Sequence, residues 1–198
     1  IALSAGEPDF DTPDNIKAAG IRAIEEGFTK YVSPGSGIAP LKEAIARKLK
    51  EENGLDYAPQ QITVNNGAKN TIFVALVSML NPDDEVIVPT PYWVSYVEQP
   101  KVVGAIPRVV QTLAKNGLKL TPGELRQAIT PKTKLLFLCT PSNPSGAVYS
   151  RDELSGLAAV LVDHGIYVIS DEIYEKLVYD GAEHHSIASV NDDIKELT

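Results

Sequence analysis

Short apolar runs alternate along most of this chain with stretches whose apolar positions recur at helical spacing. The runs read as strands at residues 62–64, 85–88, 105–110, 135–139 and 167–169. Between them, helices are expected at residues 71–80, 92–103, 121–129 and 150–164. Two of these helices announce their starts. Thr121-Pro122-Gly123-Glu124 and Ser150-Arg151-Asp152-Glu153 both carry a capping box, in which a hydroxyl and a glutamate satisfy each other's free backbone amides. Pro100 falls inside the 92–103 pattern and is expected to kink or end that helix. Strands alternating with capped helices argue for an α/β fold: three layers, with a mostly parallel sheet covered on both faces.

The first part of the chain reads differently. A strand is expected at residues 1–5, then a loop, then a helix with Thr12 as N-cap and Pro13 at its first position. Ile16, Gly20, Ala23 and Ile24 would form its apolar face, and Gly27 would end it. After a long loop at residues 29–37, Pro40 opens a second helix with Leu41, Ala44, Ile45 and Leu49 on one face, closed by Gly54. Residues 1–54 therefore read as an arm and part of a small domain, and residues 55–198 as the main, incomplete α/β unit.

Composition narrows the classes. Of 198 residues 43% are hydrophobic, which supports a sizeable core. The net charge of −8, with no block of Lys or Arg, speaks against nucleic acid and anionic membrane surfaces as partners. No apolar run approaches the length of a membrane span. The one cysteine, Cys139, lies in an apolar run and reads as a small buried hydrophobe, compatible with a reducing, cytoplasmic setting. The chain opens without an initiator Met or a basic leader region, so a piece of a longer protein is expected.

Unusual residues collect just after the strands, where open α/β sheets bind ligands. Asp171 stands where the strand at 167–169 runs into polar residues, and Tyr174 follows one helical turn later. A carboxylate and a phenol aimed at one point suit a ring with a basic nitrogen and a nearby hydroxyl, such as pyridoxal phosphate. An Asp in this place also serves as a helix cap or turn residue. Asn66-Gly67-Ala68-Lys69 opens a helix, where free N–H groups bind phosphate, although a small-residue turn also occurs as plain packing. Trp93, the only tryptophan, could stack on a ring or simply pack. Asn143, held between loop residues and Pro144, could donate to a phenolate oxygen or a substrate carboxylate, or mark a turn.

Together these residues resemble the class I, fold-type I aminotransferases, closest to the bacterial aspartate and prephenate aminotransferases. The matching stretches are Ser4-Ala5-Gly6-Glu7-Pro8-Asp9-Phe10, Lys30-Tyr31, Gly67-Ala68-Lys69, Pro91-Tyr92-Trp93-Val94-Ser95-Tyr96, Asn143-Pro144-Ser145-Gly146 and Ser170-Asp171-Glu172-Ile173-Tyr174. They occur in order over essentially the whole chain. Asp83 stands where the family usually has Gly, and Ser145 where it has Thr.

The resemblance implies pyridoxal 5'-phosphate as cofactor and amino-group transfer between an aspartate-like amino acid and a 2-oxo acid, in amino acid biosynthesis. It implies that Asp171 and Tyr174 do catalytic work, Asp171 on the pyridine nitrogen and Tyr174 on the ring hydroxyl oxygen. Asn143 would reach that oxygen and the substrate carboxylate. Gly67, Ala68 and Lys69 would contact the phosphate, Trp93 would cover the ring and line the substrate pocket, and Gly6 would touch substrate. Tyr31 would reach the phosphate in a neighbouring subunit, which implies a homodimer; no metal is implied. The family's Schiff-base lysine is not found after Asp171, so the chain by itself is expected to be inactive. A C–S lyase or aminocyclopropane-carboxylate synthase on the same scaffold, and a non-catalytic α/β binding module, are the alternative expectations.

Overall fold

The computed structural model describes residue 6 and residues 10–32 and 35–198. The chain divides into two compact units, Ile1–Ile38 and Ala39–Thr198. The strand expected at residues 1–5 lies outside the described residues.

The first unit holds α1 (Asp14–Glu25). Its N-cap is Pro13 rather than Thr12, and no side chain caps it. Pro13 is still extended, with ψ of 140°, so helical geometry begins one residue later than the sequence suggests. Lys17 bridges Asp11 and Asp14, each at 2.9 Å, across this first turn. The expected apolar face is not buried: Ile16 and Ile24 are 56% and 71% exposed.

The second unit runs α2 (Ala39–Asn53), α3 (Gly67–Met79), β1 (Glu85–Pro89), α4 (Ser95–Val102), β2 (Ile106–Val110), α5 (Pro122–Ala128), β3 (Thr133–Cys139), α6 (Arg151–His164), β4 (Tyr167–Asp171) and α7 (Asp192–Lys195). The sheet has the order β2-β1-β3-β4, and every pairing is parallel. From β1 the chain steps outward to β2, then crosses back past β1 to build β3 and β4. The direction of winding therefore reverses between β1 and β3, which opens a crevice at their carboxyl ends.

Alternation along the central strands makes the three layers. Val86, Val88, Leu135 and Phe137 pack with Ile72 and Leu76 of α3 and Tyr96 of α4. Ile87, Leu136 and Leu138 point the other way, onto Leu125 of α5 and Leu154, Leu157 and Leu161 of α6. Both capping boxes form. Thr121 and Ser150 each accept from the backbone amide of their glutamate at 3.3 Å, and each glutamate accepts in return at 2.8 Å. The start of α5 lies so close to α6 that a Cβ on Gly156 would come within 2.9 Å of the Pro122 ring. Gly165 ends α6 with φ of +63°.

Three further expectations need correction. Residues 62–64 form no strand, because no described strand lies beside them to pair with their backbone groups. Helix α3 begins at Gly67 rather than residue 71, so the Gly67-Ala68-Lys69 amides belong to its first turn. Helix α4 begins only at Ser95 and runs two residues past Pro100, which sits buried inside it. With no residue of α4 following Val102, the kinking effect of the proline is confined to the last turn.

Two carboxylates tie the segment after β4 to its surroundings. Glu175 is held by Lys48 and by Asn53 of α2, the latter at 2.8 Å. Glu172 accepts from Ser170 at 2.7 Å and lies 3.2 Å from His184 Nε2. Burial alone pushes the Glu172 carboxyl up, but hydrogen bonds from His184, Ser186 and Ser170 outweigh it and leave the group below its ordinary value. Such a carboxylate stabilises the fold above the unfolded value of 4.5 and loses that contribution as the pH falls through its lower folded value. Glu172→Gln should therefore cost about 1–3 kcal/mol at neutral pH and give a flatter decline on acidification, read as urea midpoints across the acid range.

Asp83, where the family resemblance leads one to expect glycine, has φ of +71°. Its amide donates to the Gly104 carbonyl at 3.0 Å, which fixes this left-handed turn before β1. Asp tolerates the conformation better than a branched residue. Asp83→Val should lower stability by about 1–2 kcal/mol, while Asp83→Gly should change it by less than about 0.5 kcal/mol, since relieved strain and added unfolded-state freedom offset. Thermal or urea unfolding distinguishes the pair.

Candidate active site

Asp171 is the last residue of β4 and pairs in register with Cys139, the last residue of β3. The parallel ladder thus delivers its carboxylate to the crevice edge of the sheet. One carboxylate oxygen, Oδ2, accepts from the Tyr96 hydroxyl at 2.6 Å, and Oδ1 accepts from the Ile173 amide at 3.2 Å. Both donors are neutral.

Beyond Asp171 the chain makes a hydrogen-bonded turn rather than a helix. The Glu175 amide donates to the Glu172 carbonyl at 2.9 Å, and that of Leu177 to the Tyr174 carbonyl at 2.7 Å. Tyr174 comes within hydrogen-bond distance of Asn143, whose Nδ2 donates to the phenol oxygen at 3.4 Å. Asn143 itself sits in the loop after β3, half-buried. Two side chains 31 residues apart thus meet beside the crevice.

At the start of α3 the Gly67 amide is taken by the Asn65 carbonyl at 3.0 Å. The other amides of the first turn have no acceptor within the helix. Gly67 has φ of +79°, and a Cβ there would meet nothing within 4 Å. Backbone conformation, not crowding, favours glycine here, and the space beside it is open. Asn66 leaves this helix start without a side-chain cap. The arrangement suits an anion.

A line of contacts joins this helix start to Asp171. The Lys69 ammonium lies 5.1 Å from the Trp93 ring centre. Trp93 meets Tyr96 edge-on, with ring centres 5.6 Å apart and planes at 88°. Tyr96 then donates to Asp171. Gln99 of α4 braces the same region by donating to the Lys69 carbonyl at 3.0 Å. Trp93 is half-buried and packs against the core cluster on that side of the sheet, so it serves packing as well. Cys139 is half-buried rather than fully inside, and burial pushes its thiol up.

Gly6 and Tyr31 belong to the first unit, and both are exposed there. Among the described residues, one group of three side chains has the spacing to hold a metal: Glu172, Glu175 and His184. Lys48 and Asn53 already engage one of its carboxylates, and Ser170 and His184 the other, which makes it a structural latch.

Sequence reasoning gave Tyr96 no role of its own. It lies three residues after Trp93, but nothing local marks its hydroxyl as bound for a residue 75 positions away. The Lys48–Glu175 contact, at a separation of 127, was equally silent.

Comparison with known proteins places the chain. The family model described as "Aminotransferase class I and II" matches residues 1–198. The aspartate aminotransferase of Geobacillus stearothermophilus is 48% identical over 198 residues, all of this chain and 50% of that protein. The aspartate/prephenate aminotransferase of Cereibacter sphaeroides is 49% identical over 199 residues, again all of this chain and 50% of the relative. The crystal structure of the Rhizobium meliloti aspartate aminotransferase superposes with a TM-score of 0.94 at 43% identity, over 98% of this chain and 48% of the other. This chain therefore spans about half the length of the relatives it matches, and over that span it belongs to the class I and II aminotransferases.

Proposed function

We propose that this chain is the part of a pyridoxal phosphate-dependent aminotransferase that holds the cofactor, in an enzyme moving an amino group between an aspartate-like amino acid and a 2-oxo acid. The observation that carries the reading is Asp171 at the carboxyl end of β4, in register with the end of β3, with Asn143 of the loop after β3 in contact with Tyr174 of the turn after β4.

The residues fit the group. A carboxylate whose partners are both neutral has room for a cationic N–H, so Asp171 would hold the ring nitrogen and keep its proton there. Tyr174 and Asn143 would share the ring oxygen, with Asn143 also facing the substrate carboxylate. The first-turn amides at Ala68 and Lys69 would take the phosphate, and Gly67, whose own amide is taken by Asn65, would leave open space for its approach. Trp93 would cover one ring face and, by its bulk, keep water from it. When bound, the cofactor supplies an electron-withdrawing ring that accommodates charge left on the substrate's α-carbon.

Further parts of the reading rest on family membership. Gly6 would contact substrate, and Tyr31 would reach the cofactor phosphate of a neighbouring subunit, so the working assembly is a homodimer. Residues 1–54 would form an arm and part of a small domain, and residues 55–198 most of what is present of the cofactor-binding domain. The setting is cytoplasmic amino acid biosynthesis.

Trp93 is the only tryptophan, so quenching of its fluorescence reports cofactor uptake directly. Titration with pyridoxal phosphate should quench it saturably, and Asp171→Asn should weaken binding roughly 10- to 100-fold, as expected for one charge-assisted hydrogen bond. Unsaturable quenching, or equal affinity in the Asn variant, would contradict the reading.

A further inference from the structure

Tyr96 is 3% exposed, on the first turn of α4. Its ring stacks on Phe137 of β3, centres 4.6 Å apart and planes at 17°, and meets Trp93 edge-on. These contacts leave the phenol little freedom. Its hydroxyl reaches Asp171 Oδ2 at 2.6 Å, in the range of a charge-assisted O–H···O⁻ bond. Burial first, then Cys139 and Asp171, push the Tyr96 phenol far above its ordinary value, so it faces Asp171 as a proton donor at any working pH.

We infer that Tyr96 is the positioning residue of the site: its hydroxyl fixes the Asp171 carboxylate against the cofactor ring nitrogen and draws charge from it, so that the proton stays on the ring. This rests on the pyridoxal phosphate reading above. The inference also gives α4 a role. Through one tyrosine it sets the carboxylate, and through Trp93 on its N-terminal side it sets the aromatic cover, so ring face and ring nitrogen are held by the same short segment.

A merely structural tyrosine would satisfy its hydroxyl on Asp171 without mattering to the ligand, and Tyr96→Phe separates the two roles because the stacked ring is kept. Two readings are taken on the whole chain. In the ligand-free protein, the side-chain carboxyl carbon-13 resonance of Asp171 is assigned by its loss in Asp171→Asn. In the loaded protein, cofactor affinity and the resonance of nitrogen-15 in the ring of labelled pyridoxal phosphate are measured. Tyr96→Phe should move the carboxyl resonance, weaken affinity roughly 5- to 20-fold, and shift the ring nitrogen toward its unprotonated position. An unmoved carboxyl resonance overturns the inference whatever the cofactor does. So does a moved carboxyl resonance with unchanged affinity and ring nitrogen. If the unmutated chain takes up no pyridoxal phosphate while the carboxyl resonance still moves, the cofactor reading is overturned, and Tyr96 is left as a donor to Asp171 with no ligand to position.

Discussion

The parallel pairing of β3 with β4, in the register that sets Cys139 beside Asp171, is the constraint on which the site depends. That register is enforced from both faces of the sheet. Leu135 and Phe137 are committed to the α3 and α4 side, and Leu136 and Leu138 to the α5 and α6 side. A slip of one residue would exchange the two sets and put every large side chain against the wrong layer. The hydrophobic core therefore decides how far β4 extends before it meets water, and so where the Asp171 carboxylate stands. The reversal of winding between β1 and β3 supplies the crevice, and the in-register strand ends furnish it.

Elements specified by short-range chemistry were legible in the sequence. The capping boxes at Thr121 and Ser150 and the apolar strands of the sheet all depend on residues a few positions apart. Elements that depend on a neighbour were not. Residues 62–64 have the composition of a strand, but a strand exists only where another backbone pairs with it. The buried Pro100 shows the reverse case: local chemistry argues against helix, yet packing of α4 on the sheet keeps the last turn wound around it. Asp83 lies between these cases. Its departure from glycine was visible in the sequence, but the left-handed conformation that gives the departure meaning needed the backbone.

The site divides in the same way. Asp171, Tyr174 and Asn143 could be picked out because they follow strands, and a parallel sheet sends all such residues to one edge. What holds them could not. Tyr96 reaches Asp171 across 75 residues, and Lys48 and Asn53 reach Glu175 across more than a hundred. These contacts follow from how the layers stack, which periodicity does not encode.

The two carboxylates at opposite ends of the sheet show why Asp171, and not simply any buried acid, reads as functional. Glu85 at the start of β1 is 7% exposed and fully provided for: Arg108 meets Oε1 at 3.2 Å and the Thr130 hydroxyl meets Oε2 at 2.6 Å. A cation offsets its charge, so its role closes on itself. Asp171 is half-buried, and the two partners described above are a phenol and a backbone amide. Those donors orient the carboxylate and share its charge without cancelling it. An ionised carboxylate has about four acceptor directions, so two remain. Holding an oriented, uncancelled negative charge beside an aromatic-lined crevice costs stability that hydrophobic residues in its place would not. Under the proposed function, a cationic, flat partner would recover that cost.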